Sequence, residues 1–154
     1  MTPIPAPEGF DDWTGLLALI RGSFAYMDGV IDPPSSAHRL TLETLRARAR
    51  AEHLYITPGP LLGCAFFAQR PEALYMGKLA IAPEAQGQGL GRAFLREAET
   101  LARRLSLPRL QLETRIELTR NHAAFTAFGF AITDRKAHPG FTRITSVTME
   151  KPLS

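Results

Sequence analysis

The run Gln86-Gly87-Gln88-Gly89-Leu90-Gly91-Arg92 constrains this chain most, because of what stands on either side of it. Before it, Ala73 to Ala82 is a β-prone run. After it, Leu90, Ala93, Phe94, Ala98, Leu101, Ala102 and Leu105 form one apolar stripe at helical spacing, predicting a helix of about four turns. Leu107-Pro108 ends that helix. Arg109 to Thr114 then alternates Leu110 and Leu112 with Gln111 and Glu113, so a strand returns. Strand, helix, strand implies a right-handed parallel crossover. Glycines at the helix entrance turn main-chain amides inward with no Cβ in the way, and the helix start adds positive dipole. A pyrophosphate can therefore be gripped by backbone donors.

The spacing also separates nucleotide families. A dinucleotide fingerprint starting at Gly87 requires a third glycine where this chain has Arg92, and a Walker loop requires Gly-Lys followed by Ser or Thr, which is absent after Gly87.

Upstream, Asp11 or Asp12 can cap a helix carrying Trp13, Leu16, Leu17 and Ile20 and running to about Tyr26. Met27 to Arg39, with Gly29, Pro33, Pro34, Ser35 and Ser36, reads as a shaped loop. Thr41 can cap a second helix ending near Glu52. His53 to Thr57, Leu61 to Gln69 and Ala73 to Ala82 are separated by turn residues and predict an antiparallel meander. A short helix from about Thr119 to Phe128 should stop at Gly129, with final strands near Phe130 to Arg135 and Arg143 to Lys151.

At 154 residues the chain is expected to form one domain over 1–154, and 45% apolar with 21% charged residues is an ordinary globular balance. Cys64 is the only cysteine and cannot bridge internally. Its neighbours Leu62, Ala65, Phe66 and Phe67 mark it as a core residue. Without the layout of a secretory signal near Met1 or an apolar run of spanning length, the expected setting is cytoplasmic, with no membrane partner. The net charge of +3 suits a polyanionic small ligand as well as nucleic acid. Arg46, Arg48, Arg50, Arg103 and Arg104 lie on two helices without interleaved aromatics, so no nucleic-acid partner is expected. No His, Cys or carboxylate cluster has metal-ligand spacing, and no metal is expected.

Gln86, Gly89 and Gly91 match the pattern Gln/Arg-x-x-Gly-x-Gly/Ala, after a strand Leu79-Ala80-Ile81 and before a long helix, a strand, Asn121 and Gly129-Phe130. This arrangement resembles the acyl-coenzyme A site of the GNAT superfamily of N-acetyltransferases. The resemblance covers Ala73 to the carboxyl end well and the amino-terminal half in element order. It implies an α/β (α+β) fold with a mixed, mostly antiparallel central sheet flanked by helices and a parallel strand-helix-strand coenzyme A site. It further implies that acetyl-coenzyme A is the acetyl donor. Leu79, Ala80 and Ile81 would hold the pantetheine arm, and Gln86, Gly87, Gln88, Gly89, Leu90, Gly91 and Arg92 the pyrophosphate, with Asn121 also on the coenzyme side. A homodimer through the late strands is a further possibility of the family.

Amine acetylation requires a neutral amine, a stabilised oxyanion and, usefully, a proton for the departing thiolate. Many relatives place a Tyr four residues before the Gly of the Gly-Phe pair, where this chain has Phe125. Glu113, on the polar side of its strand, is the leading candidate base, acting directly or through water. Tyr75 is a candidate proton donor. Either imidazole of His122 and His138 could take a proton near neutral pH. Ser35, Ser36 and His38, in the loop after the first helix, and His138, in the turn His138-Pro139-Gly140-Phe141, are candidates for the acceptor site by fold-level analogy. The expected acceptor is a small-molecule or peptide amine, its identity left open. The alternative, motivated by Phe125, is an acyl-coenzyme A binding module with weak or lost catalysis.

Overall fold

The computed structural model describes residues Met1–Ser154. Strands run β1 (Ile4–Pro5), β2 (His53–Ile56), β3 (Gly63–Gln69), β4 (Leu74–Ile81), β5 (Arg109–Arg115), β6 (Ala131–Lys136) and β7 (Ser146–Pro152), and helices α1 (Trp13–Phe24), α2 (Leu42–Ala51), α3 (Leu90–Arg104) and α4 (Thr119–Ala127). The seven strands form one sheet in the order β1-β2-β3-β4-β5-β7-β6. Only β4 and β5 pair in parallel, through the crossover of α3, so the mixed α/β sheet is mostly antiparallel as expected. The Pro-rich lead differs from expectation: Ile4 and Pro5 add a short edge strand against Ile56 and Tyr55.

Local chemistry explains the helix starts. Asp12 Oδ1 accepts from the Gly15 N–H at 3.0 Å, capping α1. Gly15 permits this fold-back, since a Cβ there would stand 2.3 Å from Asp12 Oδ2. Thr41 and Thr44 form a reciprocal capping box on α2. Beyond Phe24 the chain tightens into a 3-10 turn at Ala25–Met27, so α1 stops short of Tyr26, and a second such turn spans Ser36–Arg39 within the expected loop.

The sheet is covered on both faces. Gly63 and Phe66 lie three apart on β3 and so face opposite sides. Phe94 of α3 fills the space where a Gly63 Cβ would be, while Arg48 of α2 lies 5.9 Å from the Phe66 ring centroid. Phe66, Phe67 and Phe94 are wholly buried, each contributing about 1.5–3 kcal/mol by burial. Cys64 is buried with them, and burial pushes its thiol up to about 12, consistent with a packing role. No helix is long and apolar enough to cross a membrane.

Candidate active site

β4 and β5 hold register only at Leu74–Leu110 and Tyr75–Gln111; past that point β5 pairs with β7 alone. The two parallel strands therefore part into a wedge. On its other side β4 is bulged: Cys64 faces Ala80 and Phe66 faces Gly77, so Lys78 and Leu79 together oppose one residue of β3. Lys78 takes a left-handed φ of 51°, uncommon for a residue with a Cβ and a mark of a functional backbone position.

At the carboxyl end of β4 the glycine run forms the entrance to α3. Gly87 and Gly89 have φ of 77° and 81°, and Gly89 is the N-cap with no side-chain cap. The first-turn amides of α3 consequently lack intrahelical partners and face open space, since a Cβ at Gly87, Gly89 or Gly91 would meet nothing within 4 Å. An uncapped helix start with freely approachable backbone fits a pyrophosphate. Gln86 Nε2 donates back to the Ile81 carbonyl at 3.3 Å, and Gln88 Nε2 to the Glu84 carbonyl at 3.4 Å, so both side chains brace the turn. Leu79 and Ala80 lie on the wedge strand. The Ile81 N–H, expected to face a ligand, is given to Ser23 Oγ at 3.2 Å. Asn121, at the start of α4, donates to the Tyr26 hydroxyl at 3.3 Å and so ties α4 to the end of α1.

The opposite face of the wedge is polar and gathers distant segments. Ser36 Oγ meets Lys78 Nζ in a short hydrogen bond, bringing an acceptor-site candidate to the bulge. Ser35 caps its own 3-10 turn through the Ala37 N–H at 3.1 Å, and His38 pairs with Asp28 at 2.6 Å. Glu113 is exposed and paired with Lys136 at 3.1 Å. His138 is fixed by Thr145 Oγ1, which its N–H reaches at 2.8 Å and its Nδ1 also contacts. Burial, then Arg115, lowers the His138 pKa and favours neutral imidazole. His122 Nε2 is bonded to the Arg115 carbonyl at 2.9 Å. Tyr75 stands at the vertex of the wedge with Arg70 stacked 3.8 Å from its ring centroid; burial and then Glu113 raise its pKa, keeping the phenol protonated. Phe125 packs edge-on against Phe130 at 5.7 Å and offers no polar group.

Sequence reading missed Lys78, Arg39, Arg115, Glu117 and Arg143. Burial, then Arg48, Arg39 and Arg115, lowers the Lys78 pKa to about 8. Arg115 donates to the Pro33 and Pro34 carbonyls at 2.7 and 3.0 Å, and Arg143 reaches the Asp32 carbonyl at 2.9 Å and Glu117 at 3.7 Å, which together clamp the loop before Ser35. A lysine inside the otherwise apolar Leu79-Ala80-Ile81 strand region was the available signal. A cavity of about 730 Å³ lies elsewhere, at the β1–β2 edge, where Arg46, Arg50 and Arg104 share a wall with Glu8 and Glu52.

Comparison with known proteins agrees with this geometry. Residues 31–130 match the acetyltransferase (GNAT) family. No curated protein matches by sequence. Among solved structures, the fold is similar to a GNAT family acetyltransferase from Elizabethkingia anophelis with acetyl-CoA bound, at TM-score 0.69 and 19% identity, covering 99% of this chain and 97% of that one. It is also similar to PaiA N-acetyltransferase from Thermoplasma acidophilum in complex with coenzyme A, at TM-score 0.78, 16% identity and 99% and 100% coverage. The ribosomal-protein-S18-alanine N-acetyltransferase from Escherichia coli aligns at TM-score 0.70, 18% identity and 99% and 94% coverage. With the parted parallel strands, the bulge and the uncapped glycine entrance in place, and the family match spanning most of the sequence, the chain belongs to the GNAT family of acetyltransferases.

Proposed function

We propose that this chain transfers an acetyl group from acetyl-coenzyme A directly to a primary amine, with donor and acceptor held together in a ternary complex. The observation that carries this reading is the uncapped amino end of α3, set by left-handed Gly89 at the mouth of the β4–β5 wedge. When bound, acetyl-coenzyme A supplies the acetyl group as an activated thioester.

The main-chain amides of Leu90, Gly91 and Arg92 serve as the pyrophosphate donors, and Gln86, Gly87, Gln88 and Gly89 shape the turn that presents them. Backbone groups of Leu79 and Ala80 line the wedge for the pantetheine arm, Ile81 joining them if Ser23 releases its N–H. Asn121 supports the coenzyme side from α4. We assign Glu113 as the proton acceptor for the amine, directly or through a water, since it is an exposed carboxylate on the wedge strand. Tyr75, kept protonated at the vertex, is assigned as the donor that offsets the missing phenol at Phe125. Ser35, Ser36, His38 and His138 border the acceptor, which is a small molecule or a peptide; the Escherichia coli relative named above acts on a protein alanine.

Calorimetric titration with acetyl-coenzyme A, alongside an assay of amine-dependent thiol release, tests the reading. Saturable binding to the native protein, lost in Gly89→Asp, with thiol release on adding an amine, is expected. Absence of binding to the native protein overturns it. Binding without thiol release for any amine would instead favour a coenzyme-binding module, the reading that Phe125 motivates.

A further inference from the structure

Four cations gather where the acceptor is expected. Lys78 leaves the bulge of β4 toward Ser36, Arg39 closes the 3-10 turn that begins at Ser36, and Arg115 is bonded to the Pro33 and Pro34 carbonyls of the same loop, so that with Arg48 all three act against the lysine's charge. Arg48 also lies beside Gly77, with its Nη1 3.8 Å from where a Cβ would stand. Of the acids nearby, only Glu52 pairs with a member of the cluster. Glu113 pairs with Lys136 at 3.1 Å, Glu117 with Arg143 at 3.7 Å, and Glu52 meets Arg48 at a loose 3.8 Å within one helix. Lys78, Arg39 and Arg115 have no carboxylate within salt-bridge distance, and Arg115 spends its donors on two loop carbonyls.

Drawing a cation out of water without an anion is costly, so a cluster of like charges around a partly buried lysine calls for a counter-charge. The coenzyme phosphates do not supply it. Their cradle is at the amino end of α3, whereas these cations project on the opposite, α2 face of the sheet, among Phe24, Ser36 and Arg48. The missing anion then arrives with the other substrate.

Resting on the acetyltransferase reading above, we propose that the acceptor is an amine carrying an oxyanion, a carboxylate or a phosphate, which is held by Lys78 with Arg39 and Arg48 while its amine faces the wedge. In the transfer itself, the amine nitrogen forms the new N–C bond, the thioester C–S bond breaks with its electron pair leaving on the coenzyme A thiolate, the thiolate takes a proton from Tyr75, and the amine proton passes to Glu113. The oxyanion takes no part in bond making. Its role is to fix the acceptor and to reject neutral and dicationic amines, whose bound forms would leave the cluster unneutralised.

The test compares matched acceptors with the full chain and saturating acetyl-coenzyme A: L-alanine against L-alaninamide, O-phosphoethanolamine against ethanolamine, and a peptide amide beginning Ala-Glu against one beginning Ala-Gln. The expected result is at least a 30-fold higher kcat/KM for the charged member of one pair, and that pair identifies the carboxylate or phosphate source. Arg39→Ala, at an exposed position that does not threaten folding, and Lys78→Met should each reduce that ratio at least fivefold while leaving the coenzyme dissociation constant within twofold. Calorimetric titration of the charged members into the coenzyme A complex gives a readout independent of turnover. Equal or higher efficiency for the neutral members, or no binding and no turnover of any charged member by protein that binds the coenzyme, overturns the proposal. Failure of coenzyme binding itself overturns the acetyltransferase reading instead, so the two failures are distinguishable.

Discussion

On the α3 side of the wedge the groups assigned to the donor are main-chain amides drawn from one continuous run, Gln86 to Arg92, whereas on the other side those assigned to the acceptor are side chains collected from Ser36, Arg39, Arg48, Lys78, Glu113, Arg115 and His138. The first side depends on local backbone conformation and one packed helix. The second depends on contacts between residues far apart in the chain, such as Lys78 with Ser36 and Arg115 with the Pro33 carbonyl. A donor common to a whole family can be met by repeating one backbone device. An acceptor particular to one chain calls for side chains that can be exchanged without disturbing that device.

The comparison breaks first if the donor side does not rest on packing. Phe94, wholly buried in the first turns of α3, fills the space over Gly63. Phe94→Ala should cost about 3–5 kcal/mol, a fall in melting temperature of about 6–20 °C in a chain this size. At a temperature where the variant stays folded, coenzyme affinity should drop while the charged-to-neutral acceptor ratio holds. An unchanged affinity in titration would show that α3 needs no such anchor. Gly89→Ala isolates the backbone contribution, because a Cβ there meets nothing within 4 Å but must sit at a φ of 81°. The expected strain is about 1–2 kcal/mol, weakening coenzyme binding by about 5- to 30-fold. An affinity equal to the native protein's would remove left-handed Gly89 from the argument.

This division also explains what could be read from the sequence. The α3 stripe, the alternation of Leu110 and Leu112, and the glycine run are periodic or contiguous, so each announces itself within one window. Cys64 was legible as core for the same reason. The parting of β4 from β5 and the bulge at Lys78 were not, because both depend on registers set by partner strands. Nor was the edge strand at Ile4–Pro5, whose two residues carry no pattern and gain their conformation from Tyr55 and Ile56. Glu113 was placed correctly on the polar side of its strand, but its partner Lys136 is 23 residues away on β6 and invisible to local reading. His38 shares a segment with Ser36 yet turns to Asp28, since neighbours in a 3-10 turn point in different directions.

A smaller effect sharpens the account of the acceptor side. Lys78 has its pKa lowered from 10.5 to about 8 in the fold, by burial and then by Arg48, Arg39 and Arg115. Below pH 8 the lysine is charged both folded and unfolded. Between about 8 and 10.5 the folded chain has released a proton that the unfolded chain still holds, so this group's contribution to stability rises with pH across that window. Tyr75 and Cys64, whose pKa values are raised, act in the opposite direction at alkaline pH, so the comparison must be between variants. Relative to Lys78→Met, the native protein should gain about 2 kcal/mol in urea unfolding between pH 7.5 and 9.5. A flat difference would mean that the four cations do not strain one another.

The smallest expected change in stability falls at Arg143, which holds the Asp32 carbonyl at 2.9 Å and reaches Asp32 and Glu117 carboxylates at 3.5 and 3.7 Å with its side chain half exposed. Ion pairs in such a setting contribute less than about 1 kcal/mol, so Arg143→Ala should leave the melting temperature nearly unchanged. Its effect should appear in kinetics. Freed from this clamp, the loop that carries Ser35 and Ser36 loses its fixed distance from Lys78, and the KM for the acceptor should rise about three- to tenfold while coenzyme affinity and kcat stay close to native values. Because Arg115 still ties the same loop through the Pro33 and Pro34 carbonyls, the rise should grow in the Arg143→Ala, Arg115→Ala double variant. A fall in coenzyme affinity in the single variant would mean that the two sides of the wedge are coupled through this loop, and that donor and acceptor cannot be treated as separately built halves of one site.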